Sequence, residues 1–130
     1  METQKRRFPP VTRTDLVRYA GASGDFHPLH HDEQFCREAG FRSPFAMGMY
    51  SAGLMGAWVT DVVDPSRIRR FRIRFEQQVW PGDELVVSGA RAPDTDTIEI
   101  VCTRGDGTVV SRAWVRVEDD FSEEVRWPRH

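Results

Sequence analysis

Asp25 and His30 stand five positions apart in the run Gly24-Asp25-Phe26-His27-Pro28-Leu29-His30, a carboxylate and an imidazole on either side of a proline. Pro28 fixes its own φ and pushes His27 out of the helical region, so both side chains project from a shaped turn. Loops held by a rigid scaffold are where catalytic groups concentrate. An imidazole that titrates near neutrality can take a proton from water or return one, and a nearby carboxylate can orient that water or act as the partner acid. The chemistry that suits the pair is adding water to a double bond or removing it. An Asp and a His at this spacing are also ordinary turn residues, so the surrounding elements decide the matter. His27, His30, His31 and Asp32 lack the spacing of a helical ligand set, and no metal is expected.

Those elements can be read from the pattern. Thr12 followed by Asp15 approximates a capping box and opens a helix over Arg13–Ala22. After the loop, Asp32 caps a short helix from Glu33 to Ala39, which Gly40 ends. From Gly48 to about Val62 the residues are apolar nearly all round, which predicts a buried helix. Its glycines imply a close-packed neighbour, and a wrapped sheet is the expected one. Leu54, Met55 and Trp58 read first as core, with the lining of an apolar tunnel as the sharper alternative.

The second half reads as strand. Phe71, Ile73 and Phe75 alternate with Arg70, Arg72 and Arg74, giving one apolar and one charged face. The arginines face water or protect an edge in the simplest reading, with contact to a substrate phosphate as the alternative. Pro81-Gly82-Asp83 turns the chain toward a strand starting near Leu85. Ile98, Ile100 and Cys102 mark the next strand, Gly105-Asp106-Gly107 a tight hairpin, and Val109 to Val117 the last strand. Helices followed by an antiparallel meander predict an α+β fold in which a curved sheet covers one long helix.

Composition sets the outer limits. The 130 residues suit one domain over 1–130, with 1–9 and 119–130 as flexible ends; 39% hydrophobic content is ordinary for a soluble chain. A net charge of -2 and a pI near 6.1 give no bias toward nucleic acid. No run of about 18 apolar residues is available to cross a membrane, and Phe8-Pro9-Pro10 stands where a signal peptide needs an apolar stretch. Lys5-Arg6-Arg7 reads as a solvated end. Cys36 and Cys102 are far apart with no CxxC spacing, which fits a reducing cytoplasm.

The stretch Tyr19 to His30 resembles the hydratase motif of MaoC-like (R)-specific enoyl-thioester hydratases and (3R)-hydroxyacyl-ACP dehydratases. Phe45-Ala46-Met47-Gly48-Met49-Tyr50-Ser51 is similar to the segment that opens the family's central helix, and Trp80-Pro81-Gly82-Asp83 to its strand-ending turn. The likeness runs over about residues 10 to 117. It implies a hot-dog fold whose domains associate through their sheets, as a homodimer or as a heterodimer with a related subunit, with the active site at that interface. It implies Asp25 and His30 as the catalytic pair, the backbone N–H of Gly48 as donor to a thioester carbonyl, an acyl-CoA or acyl-ACP substrate, and no cofactor. The family has Asn where this chain has His27, and His where it has Met47. His27 can still hydrogen-bond in a supporting role; Met47 cannot donate. Ser51 is a candidate helper near Asp25, or simply a small residue on a packed helix. Two rivals remain: a hot-dog thioesterase, and a non-catalytic subunit that completes an active partner.

Overall fold

The computed structural model describes residues 4–118. Strand β1 (Gln4–Arg7) leads into helix α1 (Arg13–Ser23), a 3-10 turn at Pro28–His30, helix α2 (Glu33–Glu38) and the long helix α3 (Gly48–Val62). A second 3-10 turn at Pro65–Arg67 then opens β2 (Ile68–Phe75), β3 (Val86–Arg91), β4 (Thr97–Thr103) and β5 (Val109–Val117). This is the α+β architecture, one sheet packed on one long helix, that the hot-dog likeness implies. No helix among the described residues is long and apolar enough to cross a membrane.

The five strands form one antiparallel sheet in the order β1-β3-β4-β5-β2. Only β3, β4 and β5 make the expected meander. β2 pairs with β5, with Phe71 opposite Val115 and Ile73 opposite Ala113, so the first long strand lies at the far edge from β1. The chain leaving α3 enters the sheet at that edge and returns past the start of the helix, where the Ala46 amide donates to the Val79 carbonyl at 2.8 Å. Alternation reveals that a segment is a strand but not which neighbour it chooses.

The N-terminal segment corrects a second expectation. Residues 4–7 are an edge strand and not a frayed end, paired with β3 from Gln4 opposite Gly89 to Arg7 opposite Val86. Lys5, Arg6 and Arg7 do keep exposed side chains, and Arg6 meets Asp61 at 2.8 Å. Pairing uses only backbone groups, and charged side chains are what protects an edge strand. The expected C-terminal tail, 119–130, lies outside the described residues.

α3 buries one face, formed by Ser51, Ala52, Met55, Trp58, Val59 and Val62, the i, i+4, i+7 stripe of an amphipathic helix. Met55 and Trp58 are 0% and 3% exposed, packed in the core with Val87, Ile98, Ile100 and Val115 from the sheet. Of the three helix glycines only Gly48, at the tip, has the close sheet neighbour that their number suggested, the Phe75 ring. A Cβ on Gly53 or Gly56 would meet nothing within 4 Å. The most crowded glycine is on the sheet: Gly89, whose absent side chain is replaced by the Trp58 indole.

The start of α1 is fixed as the sequence indicates. The Thr12 hydroxyl accepts from the Asp15 amide at 3.1 Å, and the Asp15 carboxylate accepts from the Thr12 amide at 2.9 Å. Thr12→Ala is expected to lower stability by about 1 kcal/mol in denaturant unfolding; unchanged stability would show that the box contributes nothing.

Candidate active site

The loop that carries Asp25 and His30 is shaped at both ends. α1 stops because Gly24 adopts φ 75°, a left-handed conformation, and its amide closes on the Ala20 carbonyl. Asp25 follows at once. Its amide donates to the Ser23 hydroxyl, and its Oδ1 accepts from the His27 amide at 3.3 Å, which leaves Oδ2 free. His27 then accepts the Leu29 amide on its own Nδ1 at 3.1 Å and so caps the 3-10 turn begun by Pro28. His31 Nε2 donates to the Phe26 carbonyl at 3.0 Å.

The turn is tied to the strand-like segment before α3. The Phe45 amide donates to the Leu29 carbonyl at 3.2 Å, and His30 Nδ1 lies 2.7 Å from the Phe45 carbonyl. From beneath, the buried Cys36 thiol donates to the same Leu29 carbonyl. Burial pushes that thiol's pKa up, so it stays the neutral donor this contact needs.

These ties fix the tautomer that neutral His30 adopts. A carbonyl can only accept, so Nδ1 carries a proton, and in the neutral imidazole Nε2 presents the lone pair. That lone pair faces Asp25 Oδ2 at 3.6 Å. The His30 side chain is 11% exposed and that of Asp25 47%, so the imidazole is held by the protein and the carboxylate meets solvent. Two acceptors at this separation suit one water molecule that donates a hydrogen to each.

The third predicted group sits at the tip of α3. Met47, the N-cap residue, makes no side-chain capping bond; the Tyr50 amide donates to its carbonyl at 3.0 Å, and no side chain at that position satisfies the Gly48 or Met49 amide. Gly48 is exposed there. An open cavity of about 230 Å³ adjoins it, walled by Phe45 to Gly48, Ser51, and Phe75 to Val79. Asp25 and His30 do not line this cavity. Phe45 links the two places, since its carbonyl holds His30 and its residue forms part of the cavity wall. The missing Cβ of Gly48 would stand 3.2 Å from the Phe75 ring, so the glycine keeps the tip uncrowded.

Ser51 is placed differently from the helper role. It is buried, its hydroxyl donates to the Gly48 carbonyl at 3.0 Å, and it accepts from Ser111 of β5 at 3.0 Å. Its bonds therefore anchor the first turn of α3 to the sheet. The sequence singles out neither Ser111 nor the Phe45 carbonyl, and it gives Cys36 no role in shaping this loop. The carbonyl leaves no signal in residue type, because any residue would supply it.

A family model described as MaoC like domain matches residues 1–112. The chain belongs to that family. Probable enoyl-CoA hydratase 2 of Dictyostelium discoideum is 29% identical over 110 residues, 82% of this chain and 37% of that protein. Peroxisomal enoyl-CoA hydratase 2 of Arabidopsis thaliana is 34% identical over 67 residues, 49% of this chain and 22% of that protein. The MaoC-like chain thus spans well under two thirds of either relative. Among solved structures, the (R)-hydratase from A. caviae involved in PHA biosynthesis superposes with a TM-score of 0.72 at 22% identity, covering 91% of this chain and 96% of that one. The ChsH1-ChsH2 complex from Mycobacterium tuberculosis gives 0.75 at 23% identity, covering 90% and 96%. At these identities the structures establish the hot-dog fold.

In this MaoC-like loop, His27 explains how the family's Asn can be replaced. What the turn needs from the position is an acceptor for the Leu29 amide, which an Asn oxygen or a His Nδ1 provides equally. His27→Asn should keep both stability and loop geometry, whereas His27→Ala should lose about 1 kcal/mol. Equal stability of the two variants, measured by chemical denaturation, would remove the capping role.

Proposed function

We propose that this chain adds water to trans-2-enoyl thioesters and removes it from (3R)-hydroxyacyl thioesters in fatty-acid or related acyl metabolism. One observation carries the reading: the Phe45 carbonyl orients His30 so that its Nε2 lone pair faces the Asp25 carboxylate at 3.6 Å. The names of the Dictyostelium and Arabidopsis relatives, both enoyl-CoA hydratases 2, support it.

In elimination, His30 removes the α proton, the electron pair of that C–H bond forms the Cα–Cβ double bond, and the imidazolium returns the proton to the departing hydroxyl, which leaves as water held by the Asp25 carboxylate; hydration reverses these roles. The thioester carbonyl would take its hydrogen bond from the Gly48 amide. At the tip of a 15-residue helix, that donor sits where the macrodipole favours negative charge. A donor of this kind stabilises a developing oxyanion by about 3 to 4 kcal/mol. Nothing in the scheme calls for a cofactor.

The substrate-bearing unit is proposed to be a homodimer, or a heterodimer with a related hot-dog subunit. β2 supports this as a free edge strand with Phe71 and Phe75 37% and 49% exposed. Two free, buried cysteines support a cytoplasmic location.

The purified chain mixed with crotonyl-CoA should consume the enoyl absorbance without releasing free thiol. Thiol release would instead identify a thioesterase, and no change in either signal would leave the chain as a non-catalytic subunit; each result overturns the proposal.

A further inference from the structure

A second cavity, of about 580 Å³, lies next to the one at the tip of α3 and shares its Gln77-Gln78 wall. Its far side is built from Arg42, Trp80 and Arg104. The Arg42 guanidinium lies over the Trp80 ring, its carbon 4.3 Å from the centroid. A cation–π contact of this kind binds the charge without committing the N–H groups to an acceptor, so they can still donate. Among the described residues no carboxylate lies within ion-pairing distance of Arg42.

The rest of the lining keeps the site receptive to an anion. Arg104 donates Nη1 to the Gln78 carbonyl at 3.3 Å, which holds its guanidinium against the shared wall. The two acids present are both engaged by backbone amides: Asp83 accepts from Trp80 at 2.8 Å and Asp106 from Thr108 at 2.9 Å. Asp106 also stands 3.8 Å from Arg104 Nε, a long contact that leaves Nη2 available. A chain of rings joins this cavity to the proposed reaction centre. His30 packs on Phe45 at 5.4 Å and Phe45 on Trp80 at 5.5 Å, so the cation over Trp80 is held in a fixed relation to the imidazole.

We propose that this cavity receives a phosphate group of the substrate's carrier arm, with Arg42 as the principal donor and Arg104 as the second. The inference rests on the enoyl-thioester reading and deepens it, because it makes the cavity beyond the helix tip the determinant of carrier recognition. The phosphate can belong to coenzyme A or to a phosphopantetheine arm borne by a protein; both present the same tetrahedral anion to the same guanidinium.

The test compares crotonyl thioesters of pantetheine, 4′-phosphopantetheine and coenzyme A with the wild-type chain, Arg42→Gln and Arg104→Gln. Arg42→Gln should raise KM about tenfold for the phosphorylated thioesters, the order expected for losing one charge-assisted contact, and leave kcat and the pantetheine KM unchanged. A rise for both phosphorylated forms assigns the 4′-phosphate, and a rise for coenzyme A alone assigns the nucleotide phosphates. Equal KM values for all three thioesters in the wild type, or no effect of Arg42→Gln, would overturn the site. Calorimetric titration with coenzyme A and with pantetheine separates the two layers. Arg42-dependent preference for coenzyme A without any turnover would refute the hydratase reading and keep the site, whereas turnover without that preference would do the reverse.

Discussion

His30→Ala is expected to lower turnover of a crotonyl thioester by about 100- to 10,000-fold, the range that a positioned general base contributes, with the fold retained. The imidazole is 11% exposed and reaches the centre through a single tautomer, because its Nδ1 proton is committed to the Phe45 carbonyl. Asp25→Asn should be comparably damaging for a different reason. Its amide oxygen can still accept from the His27 amide, so the loop keeps its shape. The new NH₂ group would then point toward His30 Nε2 and donate to it, which fills the lone pair and removes the site for a shared water. Steady-state kinetics with circular dichroism as a folding check decide the matter. A folded variant of either kind with wild-type turnover would show that the pair is not the reaction centre.

Much of this arrangement was legible from residue types. The bounds Gly48–Val62 emerge from the apolar run, and the helix occupies them. Thr12 with Asp15, Asp32, and Gly82 at φ 94° each perform the cap or turn their chemistry suggests. Features that depend on partners elsewhere in the chain were not legible. Nothing in the alternation of Phe71, Ile73 and Phe75 says that β2 pairs with β5 at the far edge. A Lys-Arg-Arg triplet carries no strand signature, because an edge strand is defined by its backbone ladder. The Phe45 carbonyl that sets the His30 tautomer is likewise a backbone group. The role of Gln77 and Gln78 as the wall between two cavities follows from the crossing of residues 76–85, which only the three-dimensional path reveals.

The glycines show the same limit most sharply, and they yield the second large expected effect. Gly53 and Gly56 drew attention by their density on a buried helix, yet neither is crowded. Gly89 had a weaker local signal: an isolated glycine inside the strand Val86–Arg91, a position that often marks close approach of another group. A Cβ there would lie 2.6 Å from the far edge of the Trp58 indole and 2.9 Å from the Glu99 carbonyl oxygen. Neither neighbour yields easily. Trp58 is 3% exposed in the core, and the Glu99 backbone belongs to the ladder between β3 and β4. Gly89→Ala is therefore expected to destabilise the fold by about 1–3 kcal/mol, as overpacking does, even though replacing a strand glycine in open space would be mildly stabilising. The sign of the measured change thus distinguishes contact from propensity. Trp58→Phe removes the outer indole atoms, so the alanine substitution should cost less in that background, with a coupling of roughly 0.5–3 kcal/mol in a double-mutant cycle. Equal cost in both backgrounds would transfer the clash to the Glu99 carbonyl, and wild-type stability of Gly89→Ala would abolish it. Because Trp58 and Gly48 share α3, this contact also fixes how the helix is seated on the sheet, and with it where the helix tip meets the loop that carries His30.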